Sequence, residues 1–301
     1  MNIRDLEYIR AVARLGHFGL AAEACNVSQP ALSSQIKKLE EELGVVLFER
    51  NNKSVRTTRV GERVVALAVE ALDVVAKIKV TAEMAHDPLH GNMRVGCIPT
   101  VAPFLLPRML RSARTSLPNL KFSFQEDLTQ RLTRELLDGT LDAALLATAP
   151  EDGALCEIPL YDEPFWVIYP SGHTLSRADT IRTEDLPVSD LLLLSEGHCF
   201  RDQALDVCQL SAPGVSQTLQ ATSLGTLINL VAAEEGITLV PAMALENVSS
   251  GMGLVAKKLR EETATRRISL CYRKSFPRVE RLLATAEVIR NCLPDSVCPI
   301  R

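Results

Sequence analysis

The residue best placed for chemistry in this sequence is Cys199, which follows His198 and precedes a segment with a helical pattern. A thiol is a nucleophile only when it is deprotonated, and the amino end of a helix stabilises that negative charge. We expect a helix to begin at Asp202 and to run through Leu210, with His198 and Arg201 adding positive charge. These neighbours predict a redox-active thiol at position 199.

The chain has eight cysteines, and a buried apolar role is the ordinary expectation for each of them. Four lie in apolar surroundings and are assigned that role: Cys25, Cys97, Cys156 and Cys271. Cys292 and Cys298 lie near the carboxyl terminus, and nothing in the sequence activates them.

His198, Cys199 and Cys208 are also the residues from which a partial metal site could be built. They offer only three ligands and no Cys-x-x-Cys spacing, so neither a metal nor a cofactor is expected.

Length and composition indicate a multidomain protein of ordinary globular type. The chain has 301 residues, of which 47% are hydrophobic and 23% charged, and its formal net charge is -4. An acidic whole chain gives no sign of nucleic-acid binding, so contact with DNA would require a local basic patch. Charged residues between Arg4 and Arg14 interrupt any signal-peptide core, and no run of about 18 apolar residues occurs. A cytoplasmic location is therefore expected.

The first 58 residues have the pattern of a helix-turn-helix. Helices are predicted from Asn2 to Arg14, from Phe18 to Cys25 and from Gln29 to Leu43. Ser28 is placed as the amino cap of the third helix, and Gly44 as its carboxyl cap. A helix, a short turn and a capped helix are typical of DNA-binding domains.

The exposed side of the third helix carries groups that recognise DNA. Hydroxyls and amides reach base edges, and lysines reach phosphates. The candidate contacts are Gln29, Ser33, Ser34, Gln35, Lys37 and Lys38. A basic hairpin over residues 48–58 follows and would be a wing with Arg50, Lys53 and Arg56 on the backbone phosphates. Any solvated helix can carry lysine and glutamine. The prediction of DNA binding therefore depends on the helix-turn-helix, the polar face of its third helix and the basic hairpin occurring in this order.

The rest of the chain divides into a linker and a regulatory region. Residues 59–86 hold helical spacing over a length of about 40 Å, which favours pairing with a second copy. Strand and helix patterns then alternate, which predicts a mainly parallel α/β sheet in two lobes. The predicted domains are a DNA-binding domain (1–58), a linker and hinge (59–90) and a regulatory domain (91–301). Lobe I comprises about 91–162 and 268–301, and lobe II about 163–267.

Three segments carry a specific resemblance to the LysR-type transcriptional regulators: Phe18 to Ser33, Ile36 to Gly44 and Leu47 to Arg50. Three further segments resemble the peroxide-sensing members of that family: Gly197 to Ala204 with Cys208, Ile98 to Pro107, and Ala221 to Ser223. The resemblance covers essentially the whole chain. It implies a winged helix-turn-helix, a regulatory domain similar to periplasmic binding proteins, and no enzymatic activity.

The resemblance also implies roles for individual residues. Cys199 would be oxidised by hydrogen peroxide, and Cys208 would resolve the product as a reversible disulfide. Thr100 and Thr129 would hold the peroxide or a water, Asp202 would accept or relay a proton, and Arg266 would polarise the pocket. His198 completes the predicted pocket. The sequence departs from the family pattern at Thr218, Leu219 and Gln220, where a histidine and a basic residue are expected.

A helical interval would keep the two cysteines apart. Six helical steps from Asp202 to Cys208 cover about 9 Å, and a disulfide requires Cα atoms within about 7 Å. We therefore expect oxidation to unwind this helix and repack the lobe.

The resemblance implies several partners: promoter DNA of antioxidant genes, further copies of the chain in a dimer of dimers, RNA polymerase, and a thiol reductant such as glutaredoxin. No membrane partner is expected, and the protein would associate with the nucleoid. Two alternatives stay open at this point. The first is a LysR-type regulator that binds a small metabolite between the lobes, with Thr100 on a carboxylate. The second is a thiol peroxidase.

Overall fold

The computed structural model describes residues 1–51, 54–83, 89–208, 220–248 and 252–300. The chain divides into two compact units. The first comprises Met1–Pro88, Leu137–Thr140 and Lys274–Val279. The second comprises Leu89–Leu136, Leu141–Arg273 and Glu280–Arg301. In the described part of the chain, no helix is both long enough and apolar enough to cross a membrane.

The first unit begins with three short helices, α1 (Ile3–Leu15), α2 (Phe18–Ala24) and α3 (Gln29–Leu43). The side chain of Ser28 accepts a hydrogen bond from the Ala31 amide over 3.4 Å, and so caps α3. Gly44 ends α3 in the left-handed conformation that glycine adopts without strain, at φ 69°. The predicted three helices and both caps of α3 are confirmed.

The predicted wing is a two-stranded antiparallel hairpin of β1 (Phe48–Asn51) and β2 (Ser54–Thr57). Phe48 is buried and packs edge-on against Phe18, so the hairpin is anchored to the three-helix core. Lys53 lies outside the described residues, as does the side chain of Arg50.

One long helix, α4 (Arg59–Glu83), follows the wing. The predicted end at His86 lies outside the described residues. Large apolar side chains are exposed along α4: Val60, Leu67, Val74 and Ile78. Exposed apolar residues at helical spacing are typical of a helix that pairs with another. The dimer itself remains a prediction.

The second unit alternates strands with helices. Its elements are β3 (Gly91–Cys97), α5 (Ala102–Ser116), β4 (Leu120–Glu126), α6 (Thr129–Leu137), β5 (Ala143–Leu146), β6 (Leu155–Pro170), β7 (Leu193–Leu194), α7 (Cys199–Val207), β8 (Gln220–Ala221), α8 (Leu224–Ala232), β9 (Thr238–Pro241), β10 (Leu254–Lys258), β11 (Thr265–Arg273), α9 (Val279–Asn291) and β12 (Cys298–Pro299).

The main sheet has the strand order β10-β6-β11-β5-β3-β4, with β9 and β12 also paired to β6. The expectation of a mainly parallel sheet is wrong. In this sheet β3 pairs in parallel with β4 and β5, but every described pairing of β6 and β11 is antiparallel. The cause is β6, a strand of 16 residues of which the sequence pattern revealed only Trp166–Tyr169.

Strand β6 also connects the two lobes of the regulatory domain. Its residues up to Pro164 pair with β11 and β12, whereas Phe165 to Pro170 pair with β9 and β10. The lobe on the second side has its own apolar core, which includes Phe165 and Phe200. The change of partners lies close to the predicted lobe division between residues 162 and 163, and the domain limits themselves stay predictions.

Candidate functional site around Cys199

Cys199 is the first residue of α7, and His198 is its amino cap. The prediction that this helix begins at Asp202 is therefore wrong by three residues, and no side chain caps its amino end. The thiol lies within the first turn rather than before it. Unsatisfied backbone N–H groups of a first turn favour a negative charge at that place, so the position suits a thiolate.

His198, one of the two basic neighbours of Cys199, does not supply the positive charge that the sequence suggested. His198 is buried, and burial lowers its pKa below the ordinary value of 6.5, so the imidazole is mostly neutral at neutral pH. Arg201 is also buried, and its guanidinium donates to the carbonyl of Leu194 over 3.1 Å. That bond ties α7 to strand β7.

A small cleft adjoins the thiol at the carboxyl ends of β3 and β4, where ligands of α/β sheets ordinarily bind. It is lined by Ile98, Pro99, Thr100, Leu128, Thr129, Gly197, His198, Cys199 and Phe200. The cleft leaves about 10 Å³ for the centre of a water-sized molecule. This is about the space that a single water needs. The cleft therefore unites four predicted site residues around a space too small for an ordinary metabolite.

Thr100 is held in this cleft by Arg266. One guanidinium nitrogen of Arg266 donates to the Thr100 hydroxyl over 2.8 Å, and the other donates to the Thr100 carbonyl over 3.1 Å. Both residues are buried. The bond from a cation leaves the hydroxyl proton of Thr100 free to donate to another acceptor. The structure thus brings Arg266 next to the predicted pocket.

Glu163 is a site residue that the sequence reasoning missed. Its carboxylate accepts from Arg266 Nε over 2.9 Å and from the Met243 amide over 2.8 Å, and both partners of the ion pair are almost fully buried. Glu163 and Arg266 are direct cross-strand neighbours in the β6–β11 ladder. The available signal was a pair of acidic and basic residues at matching strand positions, but strand β11 was predicted to begin only at Ile268.

Arg266 also contacts the helix that carries Cys199. Its guanidinium carbon lies 5.1 Å from the centre of the Phe200 ring, at cation–π distance. Phe200 is buried and packs in turn against Phe165, with 5.4 Å between ring centres. A single cation therefore connects Glu163, Thr100 and Phe200, the residue next to Cys199.

Thr129 contributes an unsatisfied hydroxyl to the cleft. It is the first residue of α6, and its Oγ1 is buried without a hydrogen-bond partner in the described part of the chain. Buried polar atoms almost always have a partner, and an exception indicates a place for a water or a ligand. Thr129 lines the same cleft as Thr100 and Cys199.

Asp202 is not brought into the cleft. It lies in the first turn of α7, is exposed, and is absent from the residues that line the cavity. Its predicted role in proton relay therefore has no contact that supports it.

Cys208 follows the last residue of α7 as its carboxyl cap. It packs against the apolar core of the second lobe, and burial, with a smaller contribution from Glu261, raises the pKa of its thiol to about 11. Nine helical steps separate Cys199 from Cys208, a distance of about 13 Å along the axis. A disulfide requires Cα atoms within about 7 Å, so the helix must open before the two thiols can join.

The remaining cysteines largely occupy the predicted surroundings. Cys97 and Cys271 are buried, and desolvation raises the pKa of both, that of Cys271 to about 12. Cys25, Cys156 and Cys292 are half-buried, and Cys298 is exposed. Among the described residues, no group of three or more His, Cys, Asp or Glu is arranged to hold a metal ion.

The candidate DNA-contacting residues of α3 and the wing differ in exposure. Gln29, Ser34, Lys37, Lys38 and Arg56 are exposed, and Ser33 is half-buried. Gln35 instead donates through its side-chain amide to Asp5 over 2.9 Å, so this group joins α3 to α1. Of the unusual segment, Thr218 and Leu219 lie outside the described residues, and Gln220 begins β8.

Two family models match this chain. Residues 3–62 match the bacterial regulatory helix-turn-helix protein of the lysR family, and residues 86–292 match the LysR substrate binding domain. These matches together span both units of the structure.

Individual relatives agree along almost the full length. The DNA-binding transcriptional dual regulator OxyR of Escherichia coli is 40% identical over 293 residues, which is 96% of this chain and 95% of that protein. Among solved structures, a cysteine-to-aspartate variant of full-length OxyR from Pseudomonas aeruginosa covers 100% of this chain and 98% of its own, with a TM-score of 0.84 and 33% identity.

A cysteine-to-serine mutant of Corynebacterium glutamicum OxyR, described as bound to H2O2, is also similar. It covers 97% of this chain and 92% of its own, with a TM-score of 0.66 and 36% identity. The Escherichia coli relative is named as a DNA-binding transcriptional regulator. The protein described here therefore belongs to the LysR family of bacterial regulatory proteins and resembles its OxyR members along its whole length.

Proposed function

We propose that this protein regulates transcription from promoter DNA and that oxidation of Cys199 by hydrogen peroxide is its signal. The observation that carries the proposal is the composition of the small cleft. Cys199, in the first turn of α7, lines the same cleft as Thr100 and as Thr129, whose hydroxyl has no partner among the described residues. The relatives bear names such as hydrogen peroxide-inducible genes activator, which agrees with this reading.

The proposed reaction has two steps. The Cys199 thiolate attacks one peroxide oxygen, the O–O bond breaks, and the products are a sulfenic acid and hydroxide, which takes up a proton to become water. The hydroxyls of Thr100 and Thr129 hold the peroxide, with Arg266 orienting Thr100. Neutral His198 borders the reacting atoms without adding charge.

Cys208 then attacks the sulfenic sulfur, an S–S bond forms and water leaves. Because α7 separates the two sulfurs, this second step requires the helix to open. The opening removes Cys208 from the apolar core of its lobe and repacks the regulatory domain, which changes how promoter DNA is bound. Two reduced thiols of a reductant such as glutaredoxin would restore the dithiol and leave as a disulfide.

The same proposal assigns the remaining parts. Residues 1–58 bind DNA, residues 59–90 link and dimerise through α4, and residues 91–301 sense the oxidant in lobes 91–162 with 268–301 and 163–267. The bases and phosphates are contacted by Gln29, Ser33, Ser34, Lys37, Arg50, Lys53 and Arg56, whereas Gln35 is held by Asp5. Two dimers associate on the promoter of antioxidant genes, where they contact RNA polymerase, in the cytoplasm at the nucleoid.

The experiment is mass spectrometry of the reduced protein after one equivalent of peroxide. A Cys199–Cys208 linkage is expected in the native sequence, none in Cys199→Ser, and a trapped sulfenic acid at Cys199 in Cys208→Ser. Cys292→Ser, a half-buried cysteine outside the cleft, is the control and should form the linkage normally.

Retained promoter response to peroxide in Cys199→Ser would overturn the proposal. A metabolite response in that variant would favour the metabolite-sensing alternative, which the small cleft disfavours. Many turnovers per chain with a thiol reductant would favour a peroxidase.

A further inference from the structure

A second cleft borders α7 and is lined by none of the residues that the proposed mechanism uses. It has a volume of about 340 Å³, within the roughly 300–1,000 Å³ of small-molecule sites. Its walls come from β6, the end of α7 and the segment before β11. The lining residues are Phe165, Thr183, Gln203, Asp206, Val207, Glu261, Thr263, Ala264 and Thr265.

Two of the residues that line this cleft each carry a buried acceptor atom with no hydrogen-bond partner among the described residues: Gln203 Oε1 and Glu261 Oε2. The amide orientation of Gln203 is determined, because its Nε2 donates to the carbonyl of Ala147 over 2.7 Å and a carbonyl can only accept. Gln203 therefore offers an acceptor on its remaining atom. Leaving such atoms unpaired is costly, and a ligand that donates to them recovers that cost.

Glu261 is similarly oriented by its neighbours. Its Oε1 accepts from the amide and the hydroxyl of Thr183, over 3.1 and 3.4 Å, and its Oε2 is the unpartnered atom. Asp206 adds an exposed carboxylate on the same wall. The polar groups that line the cleft are thus carboxylates, an amide oxygen and threonine hydroxyls, and none is a cationic side chain.

The chemistry of the lining selects one class of ligand. Two carboxylates and an amide oxygen suit an ammonium or guanidinium group, which donates several hydrogen bonds and carries positive charge. Phe165, Val207 and Ala264 supply apolar surface for an attached carbon chain. A metal ion is a poorer fit, since the described residues contain no group of three or more His, Cys, Asp or Glu arranged to hold one.

We propose that this cleft binds a small organic cation and that its occupancy slows closure of the Cys199–Cys208 disulfide. The inference rests on the proposed function. Gln203 and Asp206 lie on α7 between the two cysteines, whereas Glu261 lies outside that helix. A cation that contacts both the α7 residues and Glu261 stabilises the folded state of α7. Because α7 must open before the two sulfurs can meet, the bound cation slows that step.

The test uses 1,4-diaminobutane as the probe and 1,4-butanediol as its uncharged counterpart, with the full-length reduced protein. Calorimetry measures binding, and rapid quenching with mass spectrometry follows the conversion of sulfenic acid to disulfide. At ten times its dissociation constant, the diamine is expected to slow that conversion by about tenfold, because only the free protein opens. The diol should have no effect.

Glu261→Gln removes the charge while keeping the shape, and should abolish both binding and slowing. Glu262→Gln, an exposed neighbour outside the cleft, is the matched control and should retain both. Calorimetry that detects no diamine binding, or an unchanged rate with the cleft saturated, overturns this inference. Failure of the disulfide to form without any probe overturns the proposed function instead.

Discussion

Arg266 donates to the hydroxyl of Thr100 from a position 166 residues farther along the chain, over 2.8 Å and in a buried setting. The contact joins the turn after β3 to strand β11. The contact fixes the Thr100 hydroxyl as a hydrogen-bond donor at the small cleft. The cation occupies one lone pair of the hydroxyl oxygen and leaves the hydroxyl proton to point elsewhere. The reactivity of Cys199 should depend on this bond.

Thr100→Val is expected to slow oxidation of Cys199 by about a hundredfold to a thousandfold, the usual effect of removing one preorganised hydrogen-bond donor. It should also lower the free energy of unfolding by about 1.5–3 kcal/mol, since a hydrogen bond to a buried cation is lost. Stopped-flow oxidation and urea unfolding measure the two effects. Thr115→Val, exposed near the end of α5, is the control; equal behaviour of the two variants would contradict the role of Thr100.

Thr129→Val should separate reactivity from stability. Its hydroxyl has no partner in the described part of the chain, so replacing it by a methyl group should raise the free energy of unfolding by up to about 1 kcal/mol. Oxidation of Cys199 should nevertheless slow by about tenfold. The same two assays apply. A variant that is less stable and equally reactive would mean that the hydroxyl serves the fold rather than the peroxide.

Glu163→Gln tests the buried ion pair that holds Arg266. Breaking one partner of such a pair leaves an uncompensated charge and should cost about 3–5 kcal/mol of unfolding free energy. Asp162→Asn is a matched control in the adjacent cross-strand pair, because Arg267 is exposed and Asp162 is only half-buried. That change should cost less than about 1 kcal/mol. Similar losses in denaturant titrations of the two variants would refute a special role for Glu163.

Cys208 should react slowly with alkylating reagents while the protein is reduced. Burial raises the pKa of its thiol from 9.0 to about 11, which lowers its thiolate fraction by about a hundredfold near pH 8. Timed alkylation with peptide mapping should therefore label Cys208 at least about a hundredfold more slowly than the same thiol in the unfolded chain. Comparable rates in the folded and urea-unfolded protein would show that the thiol is not buried in solution.

His198 predicts a dependence of stability on pH. Burial lowers the pKa of its imidazole below 6.5, so the unfolded state binds the proton more readily than the folded state. Stability must then rise with pH through this window and fall as pH drops below about 6.5. Between about pH 7.5 and pH 5.5, the native protein should lose more unfolding free energy than His198→Gln. An equal loss in the two proteins would mean that His198 is not buried in its neutral form.

Local patterns in the sequence were sufficient for the elements that depend on nearby residues. The caps Ser28 and Gly44 define α3 within a few positions, and the hairpin of β1 and β2 follows from its own turn. The thiol of Cys199 was recognised because it lies at a helix start, although the helix begins three residues earlier than predicted. These features are decided by hydrogen bonds and side-chain periodicity over one or two turns.

Pairings across the sheet were decided only by the tertiary structure. The ladder of β6 and β11 brings Glu163 to Arg266 across 103 residues, and the antiparallel direction of β6 reverses the expected sheet. Register between distant strands leaves little local signal, because it is selected by burial of whole faces. The sequence alone predicted which thiol would react, and the packed sheet decided which charges and hydroxyls surround it.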